Sequence, residues 1–259
     1  MTRAALRALI LLAVVPVSQA DTEMTMGDGM IQGNKLKPYE LSWRQCALQE
    51  QKWVSQGTVT ERLEAIGNGV VRHSQSTKRP DGMVSRANTY FDRASFAPLR
   101  IDVSISKDGE TLASQRRLLG EDGYTGVATR GEDSQALQGR ASRRMMHGAV
   151  MGLPLATIDY QPEPVRFTAS MVSFDGTYDV IATWVGKETL DVGDLSVDSW
   201  LIDVEWHHRE SGDVYPPGPD ASGGRYWVVQ DPPDGVPYVP RYKTDTYAVE
   251  FAGEICPED

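Results

Sequence analysis

The chain has 259 residues, 40% of them hydrophobic, with 36 acidic side chains against 26 basic ones and a net charge of −10. That length is enough for one large domain with its own core. The acidity makes it a poor partner for nucleic acid or anionic lipid surfaces, whose phosphates call for Lys and Arg; it suits a cationic ligand or simple solubility.

Residues Met1 to Ala20 carry the three parts of a secretory signal. Arg3 and Arg7 supply positive charge, Ala8 to Val15 is an unbroken apolar run, and Ser18-Gln19-Ala20 offers small residues for cleavage. The run falls short of the about 20 apolar residues that span a bilayer, and no later segment is apolar enough to cross one. The expectation is a cleavable signal peptide (1–20) and a periplasmic protein. Residues 21–38 are rich in Gly and Met and lack periodicity, which predicts a flexible leader. Within it Met24, Met26 and Met30 are thioethers of the kind that hold a soft metal, although the spacing does not repeat and no His joins them.

From Tyr39 to Asp259 the dominant pattern is alternation with period two, which predicts a single β domain. Gln51–Ile66, Gly69–Lys78 and Val84–Asp92 are expected strands. In Leu99–Lys107, Ile101, Val103 and Ile105 share a face; Asp108-Gly109 then makes a hairpin turn into Thr111–Leu119. The stretch Ser142–Leu155 breaks the alternation and predicts one short helix ending at Leu153-Pro154. Val165–Val172 and Thr177–Val185 flank a second turn at Asp175-Gly176, and Lys187–Leu190 follows Gly186. In Val197–His208 the side chains of Trp200, Ile202, Val204 and Trp206 lie opposite Asp203, Glu205 and His207. After a Pro- and Gly-rich loop over Ser211–Gly224 come strands Gly224–Gln230 and Thr244–Gly253, separated by the Pro-rich Asp231–Pro240.

Cys46 and Cys256 are the two cysteines and stand near the ends of this domain. An exported chain with an even pair favours a disulfide over two free thiols. No Cys-x-x-Cys is present, so thiol redox chemistry has no support.

The order of several short motifs resembles a family of bacterial envelope proteins, the domain of unknown function 3108. They are Thr89-Tyr90-Phe91-Asp92, Ala97-Pro98-Leu99, Gly152-Leu153-Pro154-Leu155, Val185-Gly186-Lys187-Glu188-Thr189, Arg225-Tyr226-Trp227-Val228-Val229 and Val236 to Tyr242. The resemblance implies a strongly curved antiparallel sheet, an open or spiral half-barrel with a helix near its concave side, similar to the periplasmic lipoprotein carriers. It brings no catalytic residues.

Two side-chain sets invite chemistry. Asp203, Glu205 and His207 project to one face of a strand, where carboxylate and imidazole can bind a divalent metal or exchange protons; the same alternation also describes a solvated strand face. His208 falls on the tryptophan face. Trp184, Trp200, Trp206 and Trp227 occupy successive strands and, on a curved sheet, meet as an apolar groove for an acyl chain, a hydrophobic peptide or a glycan ring, or else fill an ordinary core. Motifs for nucleophilic hydrolases, zinc proteases and phosphate loops are missing, and Gly67-Asn68-Gly69 lacks the third glycine of a dinucleotide fingerprint. The sequence therefore points to a non-enzymatic periplasmic protein that binds an apolar or amphipathic ligand without a cofactor, possible roles including cell-envelope maintenance. The alternatives are an envelope hydrolase or lyase using the acid and histidine cluster, and a scaffold whose 211–224 loop meets a partner.

Overall fold

A computed structural model describes residues 22–26, 29–49, 51–147, 150–170, 176–212, 224–243, 248–252 and 256. Strand β1 (Thr22–Met24) opens it. A long antiparallel meander follows through β2 (Tyr39–Gln49), β3 (Lys52–Gly67), β4 (Val70–Lys78), β5 (Met83–Asp92), β6 (Pro98–Lys107), β7 (Glu110–Leu119), β8 (Tyr124–Arg130) and β9 (Asp133–Gly139). Strand β10 (Met146–His147) and the one-turn helix α1 (Gly152–Leu155) lead to a second meander. It comprises β11 (Val165–Ser170), β12 (Thr177–Val192), β13 (Leu195–His208), β14 (Gly224–Val228), β15 (Arg241–Lys243) and β16 (Ala248–Ala252).

The last strand of the second meander pairs antiparallel with the first strand of the first, Val249 opposite Ala47 and Ala252 opposite Arg44. The two meanders thus form one continuous, unclosed, curved sheet. At this seam Cys46 and Cys256 form a disulfide with Cα atoms 5.7 Å apart, closing a separation of 210 residues. Cys46 is fully buried. The far edge of β11 is shared end to end by two short parallel partners, β1 beside Val165–Phe167 and β10 beside Ala169–Ser170.

Curvature follows from where the core sits. One cluster of buried apolar residues contains Leu63, Val71 and Phe91 from β3 to β5 together with Phe167, Val180, Ile202 and Val228 from β11 to β14. In a flat sheet β12 and β4 would be about 34 Å apart, seven spacings of about 4.8 Å. Sharing a core requires the ribbon to bend until its two arms face each other. Several turns are built as their sequences dictate: Asp108 and Gly109 both take positive φ, as do Asn68 and Gly69, the geometry of two-residue hairpins. Gly67-Asn68-Gly69 is thus part of a hairpin turn between β3 and β4.

The stretch expected to be a flexible leader is instead packed wherever it is described. Met24, Met26, Ile31 and Leu36 are buried in the main core and Met30 packs against it, so the methionines serve as apolar filling. Polar contacts fasten the same stretch. The Gln32 side chain donates to Asp159 at 3.0 Å, Lys35 pairs with Asp159 at 2.6 Å, and the Lys37 amide donates to the Tyr238 hydroxyl at 2.7 Å. A Cβ on Gly33 would lie 2.1 Å from the Arg93 carbonyl oxygen, a close approach that glycine alone permits. The expected helix over Ser142–Leu155 shrinks to α1, because Met146 and His147 extend along β11 instead.

The signal segment 1–20, the 173–175 part of the expected turn, most of the 211–224 loop and residues 244–247 lie outside the described residues. Among those described, no helix is long and apolar enough to cross a membrane.

Candidate functional site

A concavity with converging polar groups lies between the arms, beneath α1. It holds about 360 Å³, near the lower end of the range for small-ligand sites. Its floor is Trp43 and Gln45 from β2, Val59 and Glu61 from β3, and His73 and Gln75 from β4. Tyr226, Tyr242 and Val249 form one wall. Val150 to Leu153 and Pro237 to Pro240 roof it.

Register explains the polar group at its base. Leu63 of β3 lies opposite both Tyr39 of β2 and His73 of β4, so Glu61 is the diagonal neighbour of each on the same face. His73 Nε2 lies 2.9 Å from Glu61 Oε1, and the Tyr39 hydroxyl donates to the same oxygen. The His73 and Glu61 side chains are 7% and 13% exposed. Burial pushes the Glu61 carboxyl up, but attraction to His73 and the hydrogen bonds from His73 and Tyr39 outweigh it and hold the group below its ordinary range. Burial, then the neighbouring carboxylate, pushes the Tyr39 hydroxyl well up, so it stays protonated and donates. The result is an ionised, nearly buried carboxylate held by two donors, facing a cleft with several aromatic walls.

Tyr238 ties the roof down. Its ring packs 5.6 Å from Tyr39, its hydroxyl accepts from Lys37, and the Val229 amide donates to its carbonyl at 2.9 Å. The Pro-rich 231–240 stretch is therefore a wall of the site as well as a crossing.

The expected tryptophan groove does not assemble. Trp206 is 1% exposed and packs edge-on against Tyr178 at 5.6 Å, inside the core. Trp184 and Trp200 contact each other at 5.4 Å and pack against that core. Trp227 lies opposite Leu201 in the β13–β14 register, one residue out of phase with Trp200 and Trp206. It therefore faces the other side of the sheet, in a small cluster with Leu190, Val197 and Val236. None of the four lines the cleft; the tryptophan that does is Trp43.

The expected acid and histidine cluster is split between two pairs. Asp203 is held by Arg225 through contacts of 2.6 and 2.8 Å, an in-register cross-strand pair. Glu205, with its side chain 64% exposed, pairs with His207 at 3.1 Å. No group of three His, Cys, Asp or Glu among the described residues is placed to hold a metal. His208 packs edge-on to Tyr178 at 5.3 Å and accepts from Ser211. Asp203, Glu205 and His207 form a solvated strand face.

Sequence reasoning missed Tyr39, Glu61 and His73. Their signal was a polar residue in apolar register, Glu61 between Val59 and Leu63, and His73 after Val71. No family model, curated protein or solved structure matches this chain.

Proposed function

We propose that this chain is an exported envelope protein that binds a small amphipathic ligand, without catalysis, in the cleft beneath α1. The observation that carries this reading is the pairing of an aromatic- and aliphatic-lined cleft with one polar base, Glu61 and His73, reached from the same opening. Such a mixture suits a ligand with an apolar body and one hydrogen-bonding end. Among the described residues the lining contains no Ser, Thr or Cys to act as nucleophile, which favours binding over covalent hydrolysis. Export to the periplasm is part of the proposal. It rests on the signal-like Met1–Ala20 and agrees with the Cys46–Cys256 disulfide. Kinship with the domain of unknown function 3108 family belongs to the same proposal and rests on the short motifs quoted above.

Fluorescence titration with the neutral apolar dye N-phenyl-1-naphthylamine tests the binding reading. One saturable site is expected, lost when Gln75→Trp fills the floor of the cleft. Absence of saturable binding, or an unchanged titration in Gln75→Trp, overturns it.

A further inference from the structure

We infer that the polar end this cleft selects is an organic cation, an ammonium carried on an apolar body. The inference rests on the binding reading above and specifies its ligand class.

Glu61 puts an anionic group at the base of the cleft. Among the described residues its lining contains no Lys or Arg. The nearest lysines of the leader are engaged elsewhere, Lys35 with Asp159 and Lys37 with Asp231. Both hydrogen bonds to the Glu61 carboxylate converge on Oε1, so Oε2 is the oxygen left for an incoming donor. An ionised carboxylate accepts hydrogen bonds and cannot donate them. It therefore repels a carboxylate or phosphate end, tolerates a hydroxyl, and attracts an ammonium most strongly, since charge-assisted pairs in a partly dry site are the strong ones.

The walls add to the same preference. Trp43, Tyr226, Tyr238 and Tyr242 line a space of about 360 Å³. Aromatic faces carry negative potential and hold ammonium groups, quaternary ones included, that have shed their water. The net charge of −10 draws cations toward the molecule over longer range.

Three probes sharing an octyl chain separate the possibilities: octyltrimethylammonium, 1-octanol and octanoate, each displacing N-phenyl-1-naphthylamine from the full protein at fixed pH and ionic strength. The ammonium is expected to bind at least about tenfold more tightly than octanol, with octanoate weakest. Glu61→Gln, which keeps an acceptor for Tyr39, is expected to bring ammonium and octanol within about twofold of each other. Tyr242→Leu keeps the apolar volume and is expected to weaken the ammonium while sparing octanol. Equal binding of ammonium and octanol by the wild type overturns the cation inference and leaves the binding reading standing. Failure of all three to displace the dye removes both. The wild-type ranking decides the matter even if Glu61→Gln does not fold.

Discussion

Removing the seam disulfide should destabilise the protein through the unfolded state. The bridge between Cys46 and Cys256 closes a separation of 210 residues. Chain entropy assigns such a loop about 5 kcal/mol at room temperature, an upper bound because unfolded chains are already compact. The structure adds a second contribution of the same sign. Among the described residues the β16–β2 ladder runs from Val249 opposite Ala47 to Ala252 opposite Arg44, and it joins the two meanders in the strand order. Without the bridge that short ladder must hold the seam alone. For a chain of this size, about 5 kcal/mol corresponds to a fall in Tm of about 10–20 °C. The assay is thermal unfolding followed by circular dichroism, comparing the oxidised protein with the Cys46→Ala, Cys256→Ala double variant, alongside hydrogen exchange. The double variant should melt at least about 8 °C lower, with exchange fastest at β2 and β16. A Tm within about 2 °C of the oxidised protein, with β2 and β16 protected as before, would refute the reasoning.

Three further outcomes follow from the same structure. His73→Ala strips a nearly buried carboxylate of a partner and should cost about 3–5 kcal/mol in urea denaturation; the loss should shrink when Glu61→Gln is added, and a single-variant cost below about 1 kcal/mol contradicts the pairing. His147 is 2% exposed, neither of its ring nitrogens has a hydrogen-bond partner among the described residues, and burial, aided by Arg117, lowers its pKa to about 3. The unfolded chain therefore binds a proton below about pH 6.5 that the folded one refuses, so stability falls between about pH 6.5 and 3; His147→Leu should flatten that slope, and an unchanged slope would show that His147 is not its source. Trp206→Ala should cost about 3–5 kcal/mol as a core cavity, whereas Asp203→Asn, in a pair whose side chains are 45% and 39% exposed, should cost at most about 1 kcal/mol; similar losses from both would contradict the assignment of core and solvated face.

Strands whose side chains alternate strongly were legible in the sequence. Val197–His208 and Leu99–Lys107 sit within a residue or two of β13 and β6. The Asp108-Gly109 turn and the cysteine pairing were legible for equally local reasons. Strands β8 and β9 were not, because their Gly-, Ala- and Thr-containing residues lie at the exposed end of the sheet, where no buried face enforces alternation. The leader misled because Met24, Met26 and Ile31 have no period of their own; their burial depends on both arms curving around them, a long-range outcome. The site failed to show for a related reason. Tyr39, Glu61 and His73 come from three strands, and their meeting depends on register, which a residue pattern in one strand does not report. The same holds for Trp227, which one residue of offset sends to the opposite face.

The central claim is that the space beneath α1 is where ligand binds. Isotope-resolved NMR of the full protein during titration with octyltrimethylammonium tests it most directly. Saturable shifts should concentrate at Trp43, His73, the Val150–Leu153 roof and Tyr238–Tyr242, with β6 to β9 unmoved. Shifts centred on Asp203–His207 or on β6 to β9, or none that saturate, would contradict it.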